Sequence, residues 1–300
     1  MPGTQPVIDP HHHLWDLEHN QYPWLQKRPF EPRLEGNVEA IAQDYLLKDY
    51  LADARNQNVV KSVHVECGWD PSNPVGETEW LQQLADRHGY PHGIVARATL
   101  DAGDVEEVLA GHVSHKNVRG IRHIINWHSD PVKTYVNRPD LITTKAWRHG
   151  FSLLRRFGLS FDLQLYPAQM TDAAELAHAN PDTLIILNHA GMPVDRDEAG
   201  IRRWRRGIQD LATAPNVAVK ISGLGTVDWH WTVERIRPFV LQTIEAFGVS
   251  RCMFASNFPV DKLFSDFDTL YGAFREITRS FSADESRMLF HDNAARFYRL

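Results

Sequence analysis

Eight times along this chain a short apolar run is followed by a segment with helical spacing, and that alternation leaves few ways to fold. The apolar runs predict strands over 7–13, 59–67, 93–100, 118–125, 159–166, 183–187, 217–222 and 251–255. Helical periodicity starts at 44 and recurs over 76–89, 104–115, 144–157, 168–179, 197–212 and 233–247. Two more helices, 266–279 and 283–298, close the chain. Strands that alternate with helices pair in parallel. Eight such units in 300 residues point to a single α/β domain over 1–300, a closed (β/α)8 TIM barrel with a long loop after strand 1 and extra C-terminal helices. The rival is an open doubly wound sheet. That fold carries a glycine-rich phosphate loop after its first strand, whereas here histidines follow and no GxGxxG is present.

Residues 14–43 have no period and are rich in proline and aromatics, among them Tyr22, Pro23, Trp24, Pro29, Phe30 and Pro32. A loop of this length in a compact domain is read as a lid or pocket wall. Arg202, Arg203, Arg205 and Arg206 crowd one predicted helix. Their spacing beside Trp204 and Ile208 fits a solvated face better than a phosphate-binding one. A net charge of −6 argues against nucleic acid as a partner. Two cysteines, Cys67 and Cys252, make no disulfide framework and are expected at opposite ends of the barrel. No N-terminal apolar segment or membrane-length run is seen, so a cytoplasmic location without membrane contact is the expectation. Oligomeric state, including a homo-oligomer, stays open.

The first strand ends in Asp9-Pro10-His11-His12-His13. In an extended run side chains alternate. His11 and His13 then share a face with Asp9, and His12 points the other way. Two imidazoles on one face can grip a divalent ion or orient a water. A purification-tag remnant is a poor alternative, since the run sits between apolar residues; a structural histidine cluster is the stronger one. Active sites of such barrels lie at the C-terminal strand ends. There the sequence places Glu66, Arg122, His123, Asp162, Gln164, Tyr166, His189, Lys220, Ser222 and Asn257, with Trp127 and Asp261 just beyond.

The run Ile8-Asp9-Pro10-His11-His12-His13-Leu14-Trp15-Asp16 resembles the opening of the amidohydrolase-related (type 2) barrel hydrolases. The resemblance is greatest to the branch of sugar-acid lactonases and 2-pyrone-4,6-dicarboxylate lactonase. Phe161-Asp162-Leu163, Asn188-His189-Ala190-Gly191-Met192-Pro193, Lys220-Ile221-Ser222-Gly223-Leu224 and residues 253–260 match later strand ends, and residues 289–298 match the tail. The resemblance implies hydrolysis of a ring ester of a small sugar acid or carboxylated ring by an activated water. His11, His13 and His189 match the family's histidines, which in some members bind Zn²⁺ or Mn²⁺ and in others work without metal. Arg122, His123, Tyr166 and Trp127 are then the expected substrate contacts, the first two meeting a carboxylate or polarising the lactone carbonyl.

One departure bears on mechanism. Asn257 stands where the family usually has an acidic residue, and Asn188 where members often carry Asp. An amide cannot take a proton. Three outcomes follow: a metal lowers the pKa of its water enough for a weak base, Glu66 or Asp261 becomes the base, or hydrolysis is lost and a small-molecule binder remains. Three imidazoles and an amide leave a metal's charge uncompensated, which favours Zn²⁺ holding hydroxide, or Glu66 as a fourth ligand. A metal-dependent decarboxylase of a small aromatic or muconate-type acid is the alternative activity.

Overall fold

The computed structural model describes residues 5–300. Eight parallel strands run in chain order: β1 (Val7–His12), β2 (Val59–Val65), β3 (Gly93–Arg97), β4 (Val118–Ile124), β5 (Ser160–Gln164), β6 (Ile185–Leu187), β7 (Val217–Ile221) and β8 (Cys252–Phe254). The long first loop holds α1 (Pro23–Gln26). Around the strands lie α2 (Leu47–Ala54), α3 (Gly76–His88), α4 (Val105–Val113), α5 (Lys145–Arg156), α6 (Met170–Ala179), α7 (Glu198–Ala212), α8 (Val233–Phe247) and α9 (Phe267–Ile277). The predicted 283–298 helix is α10 (Ala283–Arg287) and α11 (Asn293–Tyr298), joined by a π-helical turn. The TIM-barrel expectation is met.

Local sequence explains where helices start. Asp197 accepts from Gly200 N–H (2.7 Å) at α7 and Asp266 from Thr269 N–H (2.7 Å) at α9. Ser282 and Glu285 cap α10 reciprocally. Each such oxygen satisfies an amide that the helix itself leaves open. On α7, Trp204 and Ile208 are buried while Arg202, Arg203 and Arg206 pair with Glu198, Asp195 and Asp210 in solvent. The solvated-face reading of that helix holds.

The barrel interior is apolar at its base, with Ile8, Val63, Val95, Ile186, Ala218 and Met253 packed together. Tyr298, on α11, plugs this end and donates to Asp162 Oδ1 (2.8 Å). Asp162 also forms a fully buried ion pair with Lys220. Burial, opposed by that carboxylate, brings the Lys220 amine down to about 8. Asp162 and Lys220 therefore form a polar layer inside the barrel, paired with each other.

The seam between β8 and β1 closes at the mouth. Asn257 N–H donates to His11 O (2.8 Å) and His13 N–H to Phe258 O (2.7 Å). Below them Asp9 takes over the ladder, accepting from Ser256 N–H (2.9 Å) and the Ser256 hydroxyl (2.6 Å). Here the expectation from simple alternation fails. Asp9 pairs with Ser62 and His12 with His64, so β1 fits one residue more than β2 between the same two rungs. Pro10 has no N–H to give the ladder, and an extra residue at such a point is a β-bulge. The bulge returns His11 and His13 to the inner face and leaves Asp9 with His12 on the outer one. The Tyr50 hydroxyl donates to Asp9 (2.9 Å), and the same ring stacks on His12 (4.1 Å). Asp9 is a staple of the seam.

Candidate active site

A cavity of about 430 Å³ opens at the C-terminal strand ends. His13, Glu66, Arg97, Arg122, Gln164, His189 and Asn257 line it from the barrel side. The long first loop supplies Trp24, Arg33 and Glu35, which makes it a pocket wall as expected. Arg33 lies over the Trp24 ring (4.4 Å) and pairs with Glu35 (2.9 Å). Glu35 also accepts from the Tyr135 hydroxyl (2.8 Å), which ties this wall to the loop after β4.

The imidazoles gather at the floor. His11 lies 5.0 Å from His13 and 4.6 Å from His189, ring centre to centre. All three are held neutral. Burial pushes His11 and His189 well below the ordinary histidine value and His13 to about 3, and neighbouring cations deepen each shift. Neutral imidazoles keep a lone pair. Both ring nitrogens of His11 are buried and without a hydrogen-bond partner among the described residues. His189 contacts the Ser222 hydroxyl through Nδ1 (3.0 Å), which leaves Nε2 free of that contact. The backbone at His189 and Asn257 is left-handed (φ 55° and 57°), a conformation that costs energy outside glycine and clusters at functional sites.

Asn257 is oriented by Asp261. Its amide Nδ2 donates to Asp261 Oδ1 (2.9 Å), so Oδ1 turns to His13 Nε2 (3.3 Å). His13 Nδ1 meets the Val65 carbonyl (2.7 Å) and must carry the proton there. An imidazole lone pair and an amide oxygen thus face each other. Such a pair takes a cation or the hydrogens of a water. The donor set of three imidazole nitrogens and one amide oxygen suits a borderline divalent ion. In donor type the residues present match the metal that the family resemblance implies, although their ligand atoms are not drawn together as closely as those of His64, Cys67 and Glu77. Asp261 itself does not line the cavity. Burial raises its carboxyl to about 7 against the hydrogen bonds it accepts.

Glu66 and Arg122 form a second buried pair. Glu66 Oε1 accepts from Arg122 Nε (2.7 Å), the Glu66 carbonyl from Arg122 Nη2, and Glu66 Oε2 from Gly68 N–H (3.1 Å). Arg122 Nη1 donates to Gln164 (2.8 Å). Burial works against the Glu66 charge, but Arg122 and Arg97 outweigh it and hold the carboxyl below its usual range. A carboxylate so engaged is a poor proton acceptor.

Of the other expected contacts, His123 borders the cavity, but its Nδ1 accepts from Leu100 N–H (3.2 Å) and the Trp147 indole (3.1 Å). Tyr166 and Trp127 do not line the cavity. The Tyr166 hydroxyl is tied to the Lys133 carbonyl (2.7 Å), and the Trp127 amide to Gln169 (3.0 Å). Arg97 is not among the residues the sequence singles out. The apolar run predicts a third strand to 100, whereas β3 ends at Arg97 itself, which puts that guanidinium at the mouth. Arg97 makes no ion pair among the described residues.

A family profile described as Amidohydrolase matches residues 8–300. The chain belongs to the amidohydrolase family. It is 55% identical over 294 residues to the uncharacterized protein y4mH of Sinorhizobium fredii, with 98% of each chain covered. It is 28% identical to the L-fucono-1,5-lactonase of Burkholderia multivorans, over 98% of this chain and 96% of that one. An amidohydrolase of Burkholderia multivorans solved with bound Zn superposes with a TM-score of 0.81 at 25% identity, covering 98% of this chain and 99% of the other.

Proposed function

We propose that this amidohydrolase opens the lactone of a small sugar acid or carboxylated ring by attack of water at the floor of the cavity. The observation that carries the reading is the cluster of neutral His11, His13 and His189 with the Asn257 oxygen turned toward His13. The relative named as an L-fucono-1,5-lactonase and the Zn-bound neighbour support it. His11, His13 and His189 would hold Zn²⁺, with Mn²⁺ the second choice and Asn257 Oδ1 in reach. A divalent ion there supplies a water of lowered pKa and a pull on the carbonyl oxygen.

The chain's own groups do the rest. Asn257 accepts a hydrogen bond from the attacking water through Oδ1 and turns that water's lone pair toward the carbonyl carbon; as the ring C–O bond breaks, the proton the water loses passes to the ring oxygen, which leaves as a hydroxyl. Asp261 holds that amide in place through Nδ2 and is a positioning residue. Glu66 fixes the Arg122 guanidinium, whose remaining N–H groups, with those of Arg97, bind a substrate carboxylate or hydroxyl. The Trp24 and Arg33 wall shields the site from bulk water.

Acid release from a panel of aldonolactones and pyrone lactones, with Zn²⁺ or Mn²⁺ added, tests this. Turnover of at least one lactone is expected. No acid from any of them, or CO2 release from a carboxylated aromatic instead, overturns it.

A further inference from the structure

On the outer face of β2, beside the cavity that Cys67 also borders, three ligand-type side chains meet in a buried cluster. His64, Cys67 and Glu77 bring their ligand atoms all within 4.8 Å of one another. They come from β2, the loop after it and the first turn of α3. A fourth oxygen joins them, since the Leu14 carbonyl lies 3.4 Å from His64 Nε2 and 3.5 Å from Cys67 Sγ. Cys67 Sγ stands 3.1 Å from Glu77 Oε1.

As hydrogen bonds the contacts to the Leu14 carbonyl are at the limit of length. As edges of a coordination shell they are ordinary. Bonds of 2.0–2.3 Å to a tetrahedral ion separate neighbouring ligand atoms by roughly 3.3–3.7 Å. The chemistry agrees with the spacing. A thiolate and a carboxylate together balance a divalent charge, which matters where both are buried. Glu77 makes no ion pair among the described residues, and His64 Nδ1 has no hydrogen-bond partner there.

We infer that His64, Cys67, Glu77 and the Leu14 carbonyl form a second, structural site for a divalent ion of the Zn²⁺ class. Its closed set of four ligands differs from the cavity floor, which keeps room for a water. The ion would pin the start of the long first loop to β2 and α3, and so hold the wall that carries Trp24 and Arg33. The inference does not rest on which reaction the cavity performs.

Sulfur distinguishes it from the imidazole cluster of the cavity floor, although Cys67 itself also borders the cavity. Cobalt(II) loaded into the metal-free protein should give a thiolate-to-cobalt charge-transfer band. That band should vanish in Cys67→Ser and persist in Cys252→Ser, since Cys252 is buried beside the Thr243 carbonyl, away from the cluster. Zinc content should fall by about one equivalent in Glu77→Gln, a change that keeps shape and thiol. Should Cys67→Ser fail to fold, Glu77→Gln decides by the same two readouts. Absence of the band from the wild-type protein, or equal zinc in wild type and Glu77→Gln, overturns the site.

Discussion

Asn257 Oδ1 faces His13 Nε2 across 3.3 Å, acceptor to acceptor, because Asp261 captures the other end of the amide. This pair governs what the family's usual carboxylate would do here. Asn257→Asp would put a second carboxylate against Asp261, where the two cannot both ionise cheaply. The variant should lose stability relative to wild type as pH rises from 6 to 8, by on the order of 1–3 kcal/mol. Added Zn²⁺ should recover more of that loss than it adds to wild type. Thermal melts at both pH values, with and without zinc, measure this; a difference that ignores pH contradicts it.

Gly223 gives His189 its room. The backbone there is left-handed (φ +59°), and a Cβ would stand 2.5 Å from His189 Nδ1. Gly223→Ala should push the imidazole off Ser222 while the barrel stays folded. The expected effect is a loss of lactone turnover on the order of 10²-fold, read as kcat/KM beside an unchanged circular dichroism spectrum.

Much of the barrel was legible because period and punctuation repeat through the whole chain. Gly158 and Gly248 each follow the helix they terminate, and His13, Glu66, Arg122, Gln164, His189 and Asn257 do border the mouth, whereas Asp162 and Lys220 pair inside the barrel and Tyr166 turns away to Lys133. The misses have local or long-range causes. Pro10 breaks the ladder and inserts a bulge, so counting by twos misplaces Asp9 but still lands on His11 and His13. Arg97 was hidden by three apolar or small residues after the true strand end. Nothing periodic announces that Arg33 and Glu35 fold back over the mouth, or that Glu77 on α3 meets His64 across β2.

Glu66 and Arg122 are buried together (2.7 Å), so removing one partner strands the other's charge. Glu66→Gln should cost roughly 3 kcal/mol in urea unfolding. It should also raise KM for a carboxylated substrate more than it lowers kcat, since Arg122 loses its anchor. A larger fall in kcat would instead make Glu66 the base.

Acid should unfold the protein through its buried histidines. His112 lies between Thr78 and the Arg97 carbonyl, and burial lowers it to about 4; His123 is likewise lowered to about 4. The unfolded chain binds these protons near 6.5, the folded one only near 4. Stability is therefore full above 6.5 and is lost as pH falls from 6.5 toward 4, on the order of 3 kcal/mol for each group. His112→Gln should flatten that limb of a stability-against-pH curve, while an unchanged slope would contradict the assignment.

The central claim is that the imidazole cluster binds a divalent ion and hydrolyses a lactone with it. Titrating Zn²⁺ into metal-free protein while following acid release from an aldono-1,5-lactone tests both parts at once. Turnover should rise with zinc bound at the cavity floor and be lost in His11→Asn and His189→Asn, which should bind one equivalent less. Zinc-independent turnover, or full turnover in both variants, would contradict the account.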